Sequence, residues 1–187
     1  MNPSTADLVE AANKLNCDEV IFLPNNKNIV MAAQSAADIM EKPAYVVPTR
    51  SIPQAFAAML SYNDEDDADG VVEAMTAAIA DVVTAEITVA IKDAKGNVGD
   101  ILEGQYIGIM NGKDIEAVGS SVEEVTFAIL EVMDAQDFET LTLLAGQDLD
   151  QDEAQHIAQR AQELYPEIEV DLLRGEQPLY PIILAVE

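Results

Sequence analysis

DEVIFLPNNKNIVMAAQSAADIMEKPAYVVPTRSIPQAFAA, residues 18–58, is the stretch whose reading decides the fold. Glu19 to Leu23 is a short apolar run closed by Pro24 and two asparagines, and Ala44 to Val47 is a second run bounded by Pro43 and Pro48; both read as buried strands. Between them Ile29, Val30, Ala32, Ala33, Ala36, Ala37, Ile39 and Met40 fall at helical spacing, with Asn28 placed as the N-cap. Strands apolar on both faces and joined through a helix predict a βαβ unit, hence a parallel pair with a right-handed crossover. Upstream, residues 5–16 predict a helix capped by Thr5. Downstream, Ser51 caps a helix with Pro53 in its first turn and Ala55, Phe56, Met59 and Leu60 on its apolar face.

Residues 61–70 form an acidic, turn-rich stretch that predicts an exposed loop, followed by a helical pattern over 71–83. The character then changes. Residues 84–92 alternate and are β-branched, a strand, and 93–100 predict a loop. Residues 103–110 and 114–119 predict strands joined by Asn111-Gly112, the pair favoured in a type I′ hairpin turn. Ser121 with Glu124 and Asp150 with Glu153 fit capping boxes, the second helix ending at Tyr165. Strands are expected at 139–145, beside it at 167–173, and at 180–186, the last at an edge because of Pro181. The chain is therefore expected to be α/β with two subdomains packed together: 1–82, a parallel βαβα unit, and 83–187, a mixed sheet with a β-hairpin.

The chain has 35 acidic and 9 basic residues, a formal net charge of −26. Nucleic acid and anionic membrane surfaces need a cationic footprint, so neither is expected as a partner, whereas a basic protein surface is the natural complement. Solubility accounts for part of the same excess. No apolar run reaches the ~18 residues of a membrane span, and no secretory leader is visible, so the cytoplasm is the expected location. Cys17 is the single cysteine, which excludes an internal disulfide and fits a small buried apolar residue. His156, far from it in sequence, reads as a surface residue on a helix, and no catalytic residue or metal site is assigned.

Ligands of open α/β sheets lie beyond the carboxyl ends of the strands. Two clusters fall there, Asn25, Asn26 and Lys27 after the first strand and Thr49 and Arg50 after the second. Each holds a cation and leads into a helix N-terminus, a setting for a carboxylate or phosphate; turn and cap chemistry asks for the same residues. Asp148, Asp150, Asp152 and Glu153 gather where a strand hands over to a helix. They can form an anionic lip for a basic partner or serve as capping and dipole compensation, and their spacing matches no EF-hand. Residues 64–69 offer a second acidic patch. Gln177 and Tyr180, in the Gly- and Pro-rich run 175–181, can present hydrogen-bonding tips to a partner or stiffen a turn. Neither a Walker loop nor a Gly-rich nucleotide fingerprint is present.

Several motifs together carry a family resemblance: Met1-Asn2-Pro3-Ser4-Thr5, residues 22–28 (FLPNNKN) with Met31-Ala32-Ala33, Val47-Pro48-Thr49 with Ser51-Ile52-Pro53-Gln54, Val72-Glu73-Ala74-Met75, Gly104-Gln105-Tyr106-Ile107-Gly108, and residues 175–181 (GEQPLYP). They span nearly the whole chain, which resembles the C-terminal region of the bacterial fatty acid kinase large subunit, in the dihydroxyacetone-kinase-like family once called Dak phosphatases. The resemblance implies that Met1 is internal to a longer protein and that the fold is related to DegV-like fatty-acid-binding proteins. It implies a kinase segment upstream that uses ATP and Mg²⁺ to convert a fatty acid to an acyl phosphate, with no cofactor in this region. It also implies a non-catalytic role here, docking a DegV-like fatty-acid-binding subunit expected to carry a basic patch. The alternative is a small-molecule module holding an acyl carboxylate or phosphate at Asn25 to Lys27 and Thr49-Arg50.

Overall fold

A reciprocal capping box opens the first helix of the computed structural model, which describes residues 2–187; Met1, the start of the first motif quoted above, lies outside the described residues. The Ser4 hydroxyl accepts the Asp7 N–H at 3.2 Å while the Asp7 carboxylate accepts the Ser4 N–H at 2.8 Å, opening α1 (Thr5–Asn13). Ser4, not Thr5, is therefore the cap, because only Ser4 has its acidic partner three residues on, where the box needs it. The chain divides into two units, Met1–Val82 and Val83–Glu187.

In the first unit β1 (Val20–Phe22), α2 (Lys27–Ile39) and β2 (Ala44–Val46) build the expected parallel pair, in register from Val20 opposite Ala44 to Phe22 opposite Val46. α2 starts earlier than the spacing suggests: Asn26, not Asn28, is the N-cap, its side chain accepting the Asn28 N–H at 2.9 Å. Ser51 caps α3 (Ile52–Leu60) as expected, and Asp67 caps α4 (Ala68–Ala78), so the acidic stretch is already helical at its end. Val47, Ala58, Val71, Met75 and Ile79 form the buried cluster.

The faces of α2 and α3 differ from their reading as amphipathic helices. Ala33 and Ala36 of α2 and Ala55 of α3 point inward as expected, joined by Pro53 and Ala58, but Ile39 of α2 is 66% and Leu60 of α3 85% exposed, with Phe56 and Met59 also exposed. Small side chains bring a helix axis close to its neighbour, so the alanines occupy the contact and the larger residues are left outside it.

The second unit is a six-stranded sheet whose elements run β3 (Val83–Val89), β4 (Ala94–Gly96), β5 (Gly99–Ile101), β6 (Tyr106–Met110), β7 (Asp114–Gly119), α5 (Val122–Val132), β8 (Thr140–Ala145), α6 (Gln151–Leu164), β9 (Glu169–Arg174) and β10 (Ile182–Val186). The order is β7-β6-β3-β10-β8-β9, parallel only between β8 and β9; β4 and β5 pair separately as a small hairpin, exposed but for the buried Ile101, where a loop was expected. Asn111 and Gly112 have φ of 50° and 61°, and the Lys113 N–H donates to the Met110 carbonyl at 3.0 Å, the left-handed pair that a type I′ turn requires. β10 is central rather than at an edge. Pro181 stands just ahead of it and costs the ladder no donor. Val125, Ile129 and Leu130 of α5 and Ile157 and Ala161 of α6 cluster with Ala85, Ile87, Leu141, Leu143, Ile182 and Leu184 of the sheet.

Two helix starts share a variant of the capping box. Ser121 accepts the Glu124 N–H, but the Glu124 carboxylate reaches one residue further back, to the N–H (2.7 Å) and hydroxyl (2.8 Å) of Ser120; Gln54 likewise accepts the Arg50 N–H at 2.8 Å. The Ser120 bonds hold the Glu124 carboxyl below its ordinary value. Its folded pKa is depressed, so the contribution is present above the ordinary Glu range near pH 4.5 and is lost as pH falls through the folded value. Glu124→Gln is expected to make the acid unfolding of this unit shallower; an unchanged acid limb in circular dichroism refutes the assignment.

Candidate functional site

The strand-end cluster of the first unit is knitted to itself. Asn25 sits at φ 56°, and the fully buried Thr49 hydroxyl accepts the Asn25 N–H at 3.1 Å and donates to its side-chain oxygen at 2.8 Å. Asn26 is occupied as the α2 cap. Asn25, Asn26 and Thr49 thus tie the two strand ends together, and Lys27 and Arg50 stand exposed beside them. In the same unit Glu19, Asp64 and Asp66 share a groove of about 370 Å³ with Tyr62. Cys17 is exposed, unlike the expected buried residue, with the Lys42 ammonium 3.9 Å from its sulfur.

At the carboxyl end of β8 the structure brings the other predicted residues together. The run 175–181 folds back over the turn at 146–149: Gly146 N–H donates to the Pro181 carbonyl at 2.8 Å and Gln147 N–H to that of Gln177 at 3.1 Å. A Cβ on Gly146 would fall onto the Tyr180 carbonyl oxygen, so only glycine permits this approach. The Gln177 amide donates to the carbonyls of Leu144 (2.7 Å) and Tyr180 (3.2 Å). Both partners are acceptors, which fixes the amide orientation and leaves its buried oxygen without a hydrogen bond. The Arg174 guanidinium spans the turn, donating to Leu149 (2.8 Å) and Gln147 (3.0 Å) and pairing with Glu176. The Tyr180 ring is half-buried; burial, and secondarily Glu86, pushes its phenol up.

This bracing sets Glu176 and Leu179 at φ of 54° and 70°. For a residue with a Cβ that region costs about 1–2 kcal/mol. The Thr88 hydroxyl donates to the Leu179 carbonyl at 2.8 Å, and the Leu179 side chain is left 76% exposed. Asp150 caps α6 by accepting the N–H groups of Asp152 (2.9 Å) and Glu153 (3.4 Å). Asp148 and Glu153 line a groove of about 330 Å³ that also contains Val89, Ile91, Leu179 and Pro181. Asp152 is exposed on the same turn. Gln177 and Tyr180 brace the loop beside this groove. Val89, Ile91 and Leu179 were not identifiable from the sequence as a set, though an isolated Ile91 beside Lys92 and a leucine inside a Pro-rich turn are its faint traces.

His156 is exposed on α6 as expected, its Nε2 3.4 Å from Glu123, which also pairs with Arg160. Among the described residues no group of three or more His, Cys, Asp or Glu side chains can hold a metal ion, and no helix is long and apolar enough to cross a membrane.

Over its full length the chain is 37% identical to protein YloV of Bacillus subtilis (strain 168), of which it spans 34%. It thus covers about a third of the length of that curated relative. Its fold is similar to the fatty acid kinase B3 protein of Streptococcus pneumoniae, solved with linoleic acid (TM-score 0.68, 14% identity, 99% of this chain and 76% of that one). It is similar also to a fatty-acid-binding DegV family protein from Thermus thermophilus (TM-score 0.65, 14% identity, 100% and 78%). These likenesses show the fold expected from the quoted motifs. The family model for the FakA-like C-terminal region of fatty acid kinase matches residues 1–187, and the chain belongs to that family.

Proposed function

We propose that this chain is a non-catalytic docking module that recruits a DegV-like fatty-acid-binding subunit through its acidic surface. A kinase segment elsewhere in the parent polypeptide would then phosphorylate the carried acid to an acyl phosphate. The observation that carries the reading is the acidic turn at 148–153, where the exposed carboxylates of Asp148 and Glu153 border a largely apolar groove and Asp152 is exposed on the same turn, in a strongly negative chain. A partner with a basic patch would be steered to such a surface, and the steering would weaken as salt shortens the Debye length. Asn25, Asn26 and Thr49 are engaged with the backbone and with each other, which disfavours the alternative anion site at Lys27 and Arg50.

Sedimentation of the chain with the DegV-family protein from the same genome tests this at about 0.01 M and about 1 M salt, where the Debye lengths are about 30 and 3 Å. A complex at low salt that weakens at least tenfold at high salt is expected. The combined substitution Asp148→Asn, Asp152→Asn and Glu153→Gln, leaving the Asp150 cap intact, is expected to remove most of that salt dependence. No complex at low salt refutes the docking reading, and unaltered docking by the triple variant removes these acids from it.

A further inference from the structure

We infer that the anchor of this docking surface is apolar: the groove at the end of the second unit's sheet, built by Val89, Ile91, Leu179 and Pro181, accepts an apolar side chain of the DegV-like partner. Asp148 and Glu153 on its rim would receive the lysines or arginines around that side chain. This inference rests on the docking reading above and adds to it where the binding energy, as distinct from the steering, resides.

Three features point to a built surface. Leu179 is held in the left-handed region at φ 70°, where an asparagine or glycine would be less strained, and the Thr88 hydroxyl fixes it there. Such conformations persist when surrounding structure over-determines them, and they concentrate at ligand clamps. Here the surrounding structure is identifiable: Arg174 on the carbonyls of Gln147 and Leu149, Gln177 on those of Leu144 and Tyr180, and the close approach to Gly146. What the bracing presents is a leucine with its side chain in water beside Ile91, which is 87% exposed.

The loop is pre-organised, so little ordering entropy opposes binding. Apolar groups in a rigid pocket ringed by polar residues have the anatomy of an interface hot spot. Charge complementarity chooses the occupant. The rim is acidic and the chain carries −26, which opposes a second copy of itself and favours a partner with a basic rim.

The test is Leu179→Gly and, separately, Ile91→Ser in the full chain, measured for binding to the same-genome DegV-family protein and for thermal unfolding. Glycine adopts φ 70° without strain, so Leu179→Gly is expected to leave the unfolding temperature unchanged or raised while weakening docking about 10- to 100-fold. Ile91→Ser, at an exposed position, is expected to weaken docking about tenfold without loss of stability. Both losses should be the same at low and high salt, unlike those of the acidic triple variant. Wild-type binding retained by both variants overturns the apolar anchor and leaves the docking reading standing. Absence of wild-type binding overturns both. A wild-type chain that sediments as a dimer and becomes monomeric in Leu179→Gly assigns the groove to self-association and overturns the inference. Stabilisation of the wild type, but not the variants, by linoleic acid alone assigns it to a free ligand and overturns it likewise.

Discussion

Gly146→Ala is expected to be among the most damaging single-methyl additions to this protein, lowering the stability of the second unit by about 3 kcal/mol. The added carbon would meet the backbone carbonyl of Tyr180, with that of Gln177 at 2.9 Å behind it, and neither can swing away as a side-chain tip can. Relief requires the run 175–181 to lift. That movement breaks the bonds from Gly146 to Pro181 and from Gln147 to Gln177 and leaves buried polar groups unpaired. The control is Gly96→Ala, where the nearest atom is the flexible end of Ile101 at 3.4 Å and a change within about 0.5 kcal/mol is expected. Because the chain has two units, the readout should be local: hydrogen exchange of the β8 and β10 amides in urea. Wild-type protection in Gly146→Ala would show that the loop is not braced as described.

A second large effect is expected where α5 meets the sheet. Ile129 is fully buried, and a Cβ on Gly108 of β6 would fall within its side chain, with Val125 at 3.2 Å on the other side. Ile129→Ala leaves a cavity and is expected to cost about 3–4 kcal/mol. Gly108→Ala overpacks the same space and is expected to cost about 2 kcal/mol. The two defects are complementary in volume, so the double variant should be more stable than the sum of the singles predicts by at least about 1 kcal/mol. Strict additivity in a double-mutant cycle by urea denaturation would mean that the two residues do not share this space.

What the sequence disclosed is what local chemistry determines. The parallel pair was legible because Pro24, Pro43 and Pro48 punctuate two apolar runs, and the hairpin because Asn111-Gly112 asks for two left-handed residues. The exposed faces of α2 and α3 were not, since periodicity records which residues share a stripe and cannot say whether alanines or larger neighbours face the core. The β4–β5 hairpin escaped because its strands are three residues each and exposed but for Ile101, with Lys95 and Asp100 in register across it, so no alternation marks them. The candidate site divided the same way. Asp148, Asp150, Asp152 and Glu153 were visible as acids gathered where a strand hands over to a helix, and 175–181 as a run too rich in special residues for a simple turn. Arg174 and Gly146, which hold that run in place, act on backbone carbonyls, and carbonyls leave no mark in composition.

The position of β10 bears on how the protein is made. Its residues pair with β3 on one side, Ile182 opposite Ile87, and with β8 on the other, Ile182 opposite Ala145. During synthesis β3 and β8 leave the ribosome long before the strand that joins them, so both wait with an open edge. The longest loop closures of the sheet come last, a slow step in a topology of distant pairings. Until then the leucines and isoleucines of those strands are available to other nascent chains, and this unit's yield in the cell should be governed by that interval. The β1–α2–β2 pair of the first unit, assembled from neighbours, has no such delay.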